Sequence, residues 1–150
     1  MNDIQQNIIK WAEDKGIFEK SDTTSQFLKT IEELGELASA VNKNDLPEIK
    51  DAIGDVTVTL VLHDKMKNGE LILDLNGCFA TKNPKQTVLE LFDGLSAAIV
   101  YGDYQHIIEC LISLANYYGW TLQECLQSAY DVISKRTGKM ENGVFVKDRQ

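Results

Sequence analysis

The residues of this chain best suited to chemistry are Glu32, Glu33 and Glu36 in the run IEELGEL and Glu48, Asp51 and Asp55 in the run EIKDAIGDV. In each run carboxylates recur at i, i+3 and i+4 with apolar or small residues between them, which puts acid on a helix face that should otherwise be buried. A carboxylate in such a place needs a base, a proton or a metal ion, because uncompensated buried charge is too costly to persist. If the two helices pack antiparallel, as the short connection from Asn42 to Pro47 favours, the acidic faces meet and form an oxygen-rich pocket. Hard oxygen donors with no cysteine or histidine close by select Mg²⁺ or Mn²⁺ over zinc. His63, two turns beyond Asp55 on an apolar stretch, reads as a hydrogen-bonded packing residue.

For either cluster alone, the plainer reading is a solvated helix face with Lys29, Lys43 and Lys50 as ordinary i, i+3 or i+4 partners. Two clusters on consecutive helices favour the metal reading. Glu33 and Glu36 flank Leu34 and Leu37, and Asp51 and Asp55 flank Ala52, Ile53 and Val56, so a fully solvated face would leave little room to bury those side chains.

The elements that must position these acids follow from periodicity. A first helix runs from Asp3 to about Lys15 and stops at Gly16. Ser21 to Thr24 form a polar start signal for a long amphipathic helix from Phe27 to Val41, which ends near Asn42 to Asp45. Pro47 fits the first turn of the next helix, which carries the second cluster and continues through VTVTLVL. Taken alone that stretch would read as a buried strand, but it follows the helical pattern of EIKDAIGD without a breaker beyond Gly54. Asn68 to Pro84 is a loop or small irregular excursion. Further helices follow from Lys85 to Gly102, from Ile107 to Gly119, and from a Thr121 cap, boxed by Glu124, to a stop at Gly138. The tail holds at most a brief extended piece at Val144 to Val146. The expected architecture is all-α: one domain over residues 1–150, a compact bundle of five or six helices with the acidic site between two antiparallel members.

Composition narrows the partners. With 150 residues, 43% of them hydrophobic, the chain can bury one ordinary core. A formal charge of -8 and a pI near 4.7 argue against nucleic acid or an anionic membrane as the main partner. An anionic substrate stays compatible with that charge, because divalent ions held by carboxylates invert the local sign. Cys78, Cys110 and Cys125 are odd in number and lack metal-type spacing, so they read as core thiols in a reducing compartment. The start MNDIQQNIIKWAEDKG lacks a signal-peptide pattern and no apolar run reaches the ~18 residues of a membrane span, so the expected location is the cytoplasm.

The run QFLKTIEELGELASAV followed by EIKDAIGDVTVTL resembles the MazG-like, all-α nucleoside triphosphate pyrophosphohydrolases, whose signature is ExxE on one helix and ExxD on the next. IIKWAEDKGIF resembles the first helix of that family, and LQECLQSAYDVISKRTGKMENGVFVK resembles the closing segment of its phage-type members. The resemblance thus covers most of the chain. Glu33 and Glu36 match ExxE, but three residues before Asp55 stands Ala52, where the family usually has an acid. Either Asp51 replaces it, or Glu48 and Asp51 form the ExxD themselves. The gap of eleven residues between Glu36 and Glu48 is slightly short for the family, which favours Asp51 with Asp55 and leaves Glu48 as an auxiliary ligand.

The resemblance implies Mg²⁺-dependent hydrolysis of a nucleoside triphosphate between the α and β phosphates, giving the monophosphate and pyrophosphate. Glu33, Glu36, Asp51 and Asp55 would hold the metal, and Glu32 or Glu33 would orient the attacking water as general base. Lys29 shares their face and is a candidate phosphate contact, with a salt bridge to Glu33 as its plainer role. Arg136 and Lys139 in SKRTGKM lie in the segment that the family places near substrate, and their plainer role is to offset a helix dipole. Trp11 and Phe27 are candidates for stacking on a base, with core packing as the rival. As in relatives, a homodimer or homotetramer is expected, in the host cytoplasm if the chain is phage-encoded. The alternatives are a narrower pyrimidine deoxynucleotide or phosphoribosyl-ATP pyrophosphohydrolase, or a non-catalytic helical regulatory protein that binds nucleotide or metal, which the Ala52 departure keeps open.

Overall fold

The computed structural model describes residues 3–148, with Met1, Asn2, Arg149 and Gln150 outside them, and within that span the chain forms an all-α bundle. Its helices are α1 (Asp3–Asp14), α2 (Ile17–Lys20), α3 (Thr23–Lys43), α4 (Leu46–Asn68), α5 (Pro84–Tyr101), α6 (Gln105–Tyr117) and α7 (Leu122–Ile133). Six of them are the periodic segments of the sequence; α2 is a single extra turn after Gly16, too short to show a period.

Side-chain caps open the functional helices. Asp22 accepts from the Ser25 backbone N–H at 2.7 Å to start α3, and Asp45 accepts from the Glu48 N–H at 3.3 Å to start α4. Between them Asn44 takes the left-handed conformation, φ 54°, and donates its N–H to the end of α3. That reversal lays α4 back along α3. Thr30 meets Thr59 through a buried 2.8 Å hydroxyl bond, while Glu33 and Glu36 face Asp55 across the same seam, so the pair is antiparallel as the short connection requires.

VTVTLVL is helical because α4 is surrounded. Val56, Val58, Leu60, Val61 and Leu62 are all buried, against α1, α3, α6 and α7. A helix buried on every side loses its amphipathic stripe, and its composition then imitates a strand. Gly54 belongs to this crowding, since a Cβ there would collide with the Cys125 carbonyl of α7.

The end of the chain differs from expectation. Gly138 does not terminate the last helix, which stops at Ile133; it opens β1 (Gly138–Glu141), paired antiparallel with β2 (Val144–Lys147). Asn142 and Gly143 make the two-residue turn with φ of 51° and 83°. The Asn-Gly dipeptide is the strongest short-range hairpin signal, and it makes the brief extended piece at Val144 to Val146 part of the second strand of a hairpin.

The stretch 69–83 carries no regular element, as expected, yet it is tied down. The buried carboxylate of Asp64 accepts from Asn68 Nδ2 at 2.7 Å and from the Ile72 backbone N–H at 2.8 Å, Leu75 is buried, and the Phe79 N–H donates to Asn116 Oδ1 on α6. His63, fully buried, shares a hydrogen bond between its Nδ1 and the Tyr104 hydroxyl and packs 3.6 Å, centroid to centroid, from Phe27. It faces away from the acids, and burial pushes its pKa down to about 4.

Candidate active site

The seam between α3 and α4 gathers carboxylates at one level. Glu33 and Glu36 are one turn apart on α3, Asp55 comes across from α4, and one ligand oxygen of each lies within 4.8 Å of the others. Glu33 is only 7% exposed. One of its oxygens meets Lys29 Nζ at 3.3 Å, while its Oε2 is buried without a hydrogen-bond partner. Asp55 accepts no hydrogen bond from any described residue.

Electrostatics follow from this crowding. Burial raises the Glu33 pKa to about 7, offset in part by Lys29 and reinforced by Glu36. Burial also raises Asp55 to about 7, with Asp51, Glu33 and Glu36 adding repulsion and Arg136 opposing it. Asp51 is raised by burial too, against the pull of Arg136. Desolvation works to lower Lys29, but the carboxylates of Glu33 and Glu32 outweigh it and raise its pKa. Three acids that repel one another, one with an orphaned oxygen, fit a divalent cation: it would relieve the repulsion and use that oxygen.

A cavity of about 360 Å³ opens over these acids. Lys29, Glu32, Asp51 and Arg136 line it beside the three clustered carboxylates. Glu32 stands at the rim, its side chain 59% exposed, 3.3 Å from Lys29 Nζ. Asp51, not Ala52, faces the cavity: Ala52 is buried in the core, so an acid at that position would point away from the seam. Trp11 also lines the cavity and packs edge-to-face on Phe145, with ring centroids 5.9 Å apart.

Other candidates stand elsewhere. Glu48 is exposed in the first turn of α4 and does not line the cavity. Lys139 is exposed on β1 with its ammonium 3.3 Å from Glu141, outside the lining. Phe27 packs on His63 instead of facing the cavity, and Lys50, a candidate partner for the acids, sits over the Trp120 ring at 5.7 Å. Sequence reasoning did not find Gln26, Thr59, Phe145 or Lys147, all of which line the cavity. Phe145 and Lys147 arrive on the hairpin that the Asn-Gly turn signalled. Gln26 lies one turn before Lys29 and two before Glu33, so the face already marked by those residues pointed to it.

The site of this all-α bundle is thus a three-carboxylate group with Lys29 and Arg136 beside it in one cavity. Residues 21–87, which hold α3, α4 and the whole acidic seam, match the family model described as MazG nucleotide pyrophosphohydrolase domain. The resemblance read from the sequence therefore stands over that segment. A stretch of 77 residues is also 44% identical to an uncharacterized 18.2 kDa protein of the rep-hol intergenic region of Haemophilus phage HP1. That stretch covers 49% of this chain and 47% of the phage protein, so the likeness spans about half of each. No solved structure matches the chain.

Proposed function

We propose that this protein is a Mg²⁺-dependent nucleoside triphosphate pyrophosphohydrolase, with Mn²⁺ as an effective substitute, that cleaves between the α and β phosphates. The observation that carries this reading is the Glu33, Glu36 and Asp55 group with its orphaned buried oxygen, lying within the segment that matches the MazG domain. Those three residues, joined by Asp51, would hold the ion. When bound there, Mg²⁺ neutralises charge on phosphate oxygens and lowers the pKa of a water.

The chain's own residues supply the rest. Lys29 and Arg136 line the cavity on different elements, α3 and the segment after α7, and offer cationic contacts to phosphate from two directions. Glu32 stands at the rim outside the three-carboxylate group; its Oε2 pairs with Lys29, and its other oxygen would orient the attacking water and take its proton. In the net reaction the water oxygen bonds to the α phosphorus, the bond to the bridging oxygen breaks, and pyrophosphate leaves with that oxygen. No side-chain nucleophile is needed.

The reading extends to an assembly of two or four chains in the cytoplasm. It is supported by the exposed apolar side chains Leu89, Phe92, Ile99 and Val100 on α5 and by cysteines that form no disulfide among the described residues. No described helix is long and apolar enough to cross a membrane. The test is to incubate the protein with a panel of nucleoside triphosphates and Mg²⁺ in ¹⁸O-labelled water. The expected products are pyrophosphate and a monophosphate that carries the label. Release of inorganic phosphate alone, or no release while Mg²⁺ demonstrably binds, would overturn the proposal.

A further inference from the structure

The cavity has a second end that the hydrolysis of phosphates does not use. Along the cavity side of α3 the order is Gln26, Lys29, Glu33, Glu36: a neutral amide, a cation, then the acids. At 1.5 Å rise per residue Gln26 lies about 10 Å along the helix from Glu33. The walls change with it. Trp11, Ile17, Val58, Leu62 and Phe145 line the cavity and are apolar, where the other end presents charge.

Gln26 is an unusual residue for such a wall. It is 6% exposed, and its Nε2 donates to Ser21 Oγ at 3.2 Å. No described residue pairs with the remainder of its amide, and none of its atoms is among those both sealed from solvent and unpartnered. Its amide oxygen therefore keeps some access to solvent, and Gln26 is part of the cavity lining. With one position held by Ser21, either orientation of the amide leaves a donor and an acceptor for a ligand.

The C-terminal hairpin is seated at this same end. Gly143, at its tip, lies so close to α3 that an added Cβ would stand 3.0 Å from Ser25 Oγ. Phe145 is held by its edge-to-face contact with Trp11 and by Lys15, whose ammonium lies 6.0 Å from the ring centroid. Two aromatic rings and one buried amide with paired hydrogen-bonding capacity match a flat, neutral ring with an amide-like edge. Within a nucleotide only the base has that chemistry.

We propose that Gln26 reads the hydrogen-bonding edge of the nucleobase, with Trp11 and the hairpin residue Phe145 packing on its ring. The substrate then lies along α3, base toward the helix start and phosphates at Glu33 and Glu36. This inference rests on the nucleotide reading above and makes Gln26 the residue that sets base preference.

The test is kcat/KM for a panel of deoxynucleoside triphosphates and for deoxyribose 5-triphosphate, which lacks a base, in wild type and in Gln26→Leu. Wild type should discriminate among bases. Gln26→Leu should lose about tenfold on the preferred base, mainly in KM, and much less on the others, so that the ratios collapse. Its rate on the base-free compound should match wild type. Phe145→Ala, on the partly exposed hairpin, should raise KM for every base-bearing substrate and leave the base-free one alone, which keeps the test open if the buried substitution unfolds the chain. Unchanged base ratios in Gln26→Leu, an equal loss on the base-free compound, or a wild type without base preference would overturn this inference while leaving the hydrolase reading intact. Absence of turnover on every compound would instead overturn the hydrolase reading, and this one with it.

Discussion

Asp55 and Asp64 are the same residue type on the same helix, nine positions apart, and their surroundings are opposite. Asp64 is completely buried and its carboxylate is spent: Asn68 Nδ2 and the Ile72 backbone N–H both donate to it, and the start of the 69–83 segment hangs from that contact. Asp55 is half-buried, receives no hydrogen bond from a described residue, and faces Glu33 and Glu36, so burial and repulsion carry its pKa to about 7. A buried acid with its donors in place holds structure together. One without them stores unfavourable energy that a ligand can relieve. The same division repeats on α3, where Thr30 finds Gln26 O and Thr59 Oγ1 while Glu33 Oε2, one turn on, finds nothing.

The widest separation between the two acids is expected in turnover. Asp55→Asn should lower pyrophosphate release by more than about a hundredfold without loss of helical content, and Glu36→Gln should do the same. Full activity in both, measured under saturating Mg²⁺, would mean that other carboxylates do the work. Asp64→Ala should behave in the reverse manner, costing about 1–3 kcal/mol of stability in denaturant titrations while the rate per folded molecule stays near wild type.

A difference in pH response follows from the same contrast. Glu33 and Asp55 hold protons more tightly in the folded chain, with pKa near 7, than when unfolded, where the values are 4.5 and 3.8. Their contribution to metal-free stability is fully present below the unfolded values and is lost as pH rises through about 7. Mg²⁺ should therefore raise the melting temperature clearly at about pH 8 and hardly at all at about pH 5, where protons already occupy the acids. In Asp55→Asn the pH dependence should flatten; if it keeps the wild-type slope, Asp55 is not the titrating group. The smallest effects belong to residues outside the cavity. Glu48→Gln and Lys139→Ala should leave both rate and KM within about twofold, and a large loss in either would restore it to the site.

How much of this was legible in the sequence depended on burial. The α3 face was plain because half of that helix meets water, so Glu33 and Glu36 stood out against Leu34 and Leu37. α4 was harder, since burial on all sides erased its period and made VTVTLVL imitate a strand, yet Asp51 and Asp55 remained visible as acids in an apolar run. Helical spacing put Asp51 on the face of Asp55 but left Glu48 with Asp51 as a rival pair. The preference for Asp51 with Asp55 came from the gap length of the family pattern that the chain resembles. Gln26 and Phe145 were not found, for a common reason: a neutral amide and a lone aromatic acquire meaning only when the bundle carries them to one cavity. Glu48 shares the face of Asp51 and Asp55 by periodicity, but it stands exposed in the first turn of α4, outside the cavity lining.

The most direct measurement is pyrophosphate release from nucleoside triphosphates as a function of Mg²⁺ concentration, in wild type and in Asp55→Asn. Wild type should show no release with the ion chelated and a saturable rise as Mg²⁺ is added, while Asp55→Asn stays at background throughout. Release that is independent of Mg²⁺, or an Asp55→Asn curve that overlays wild type, would contradict the account.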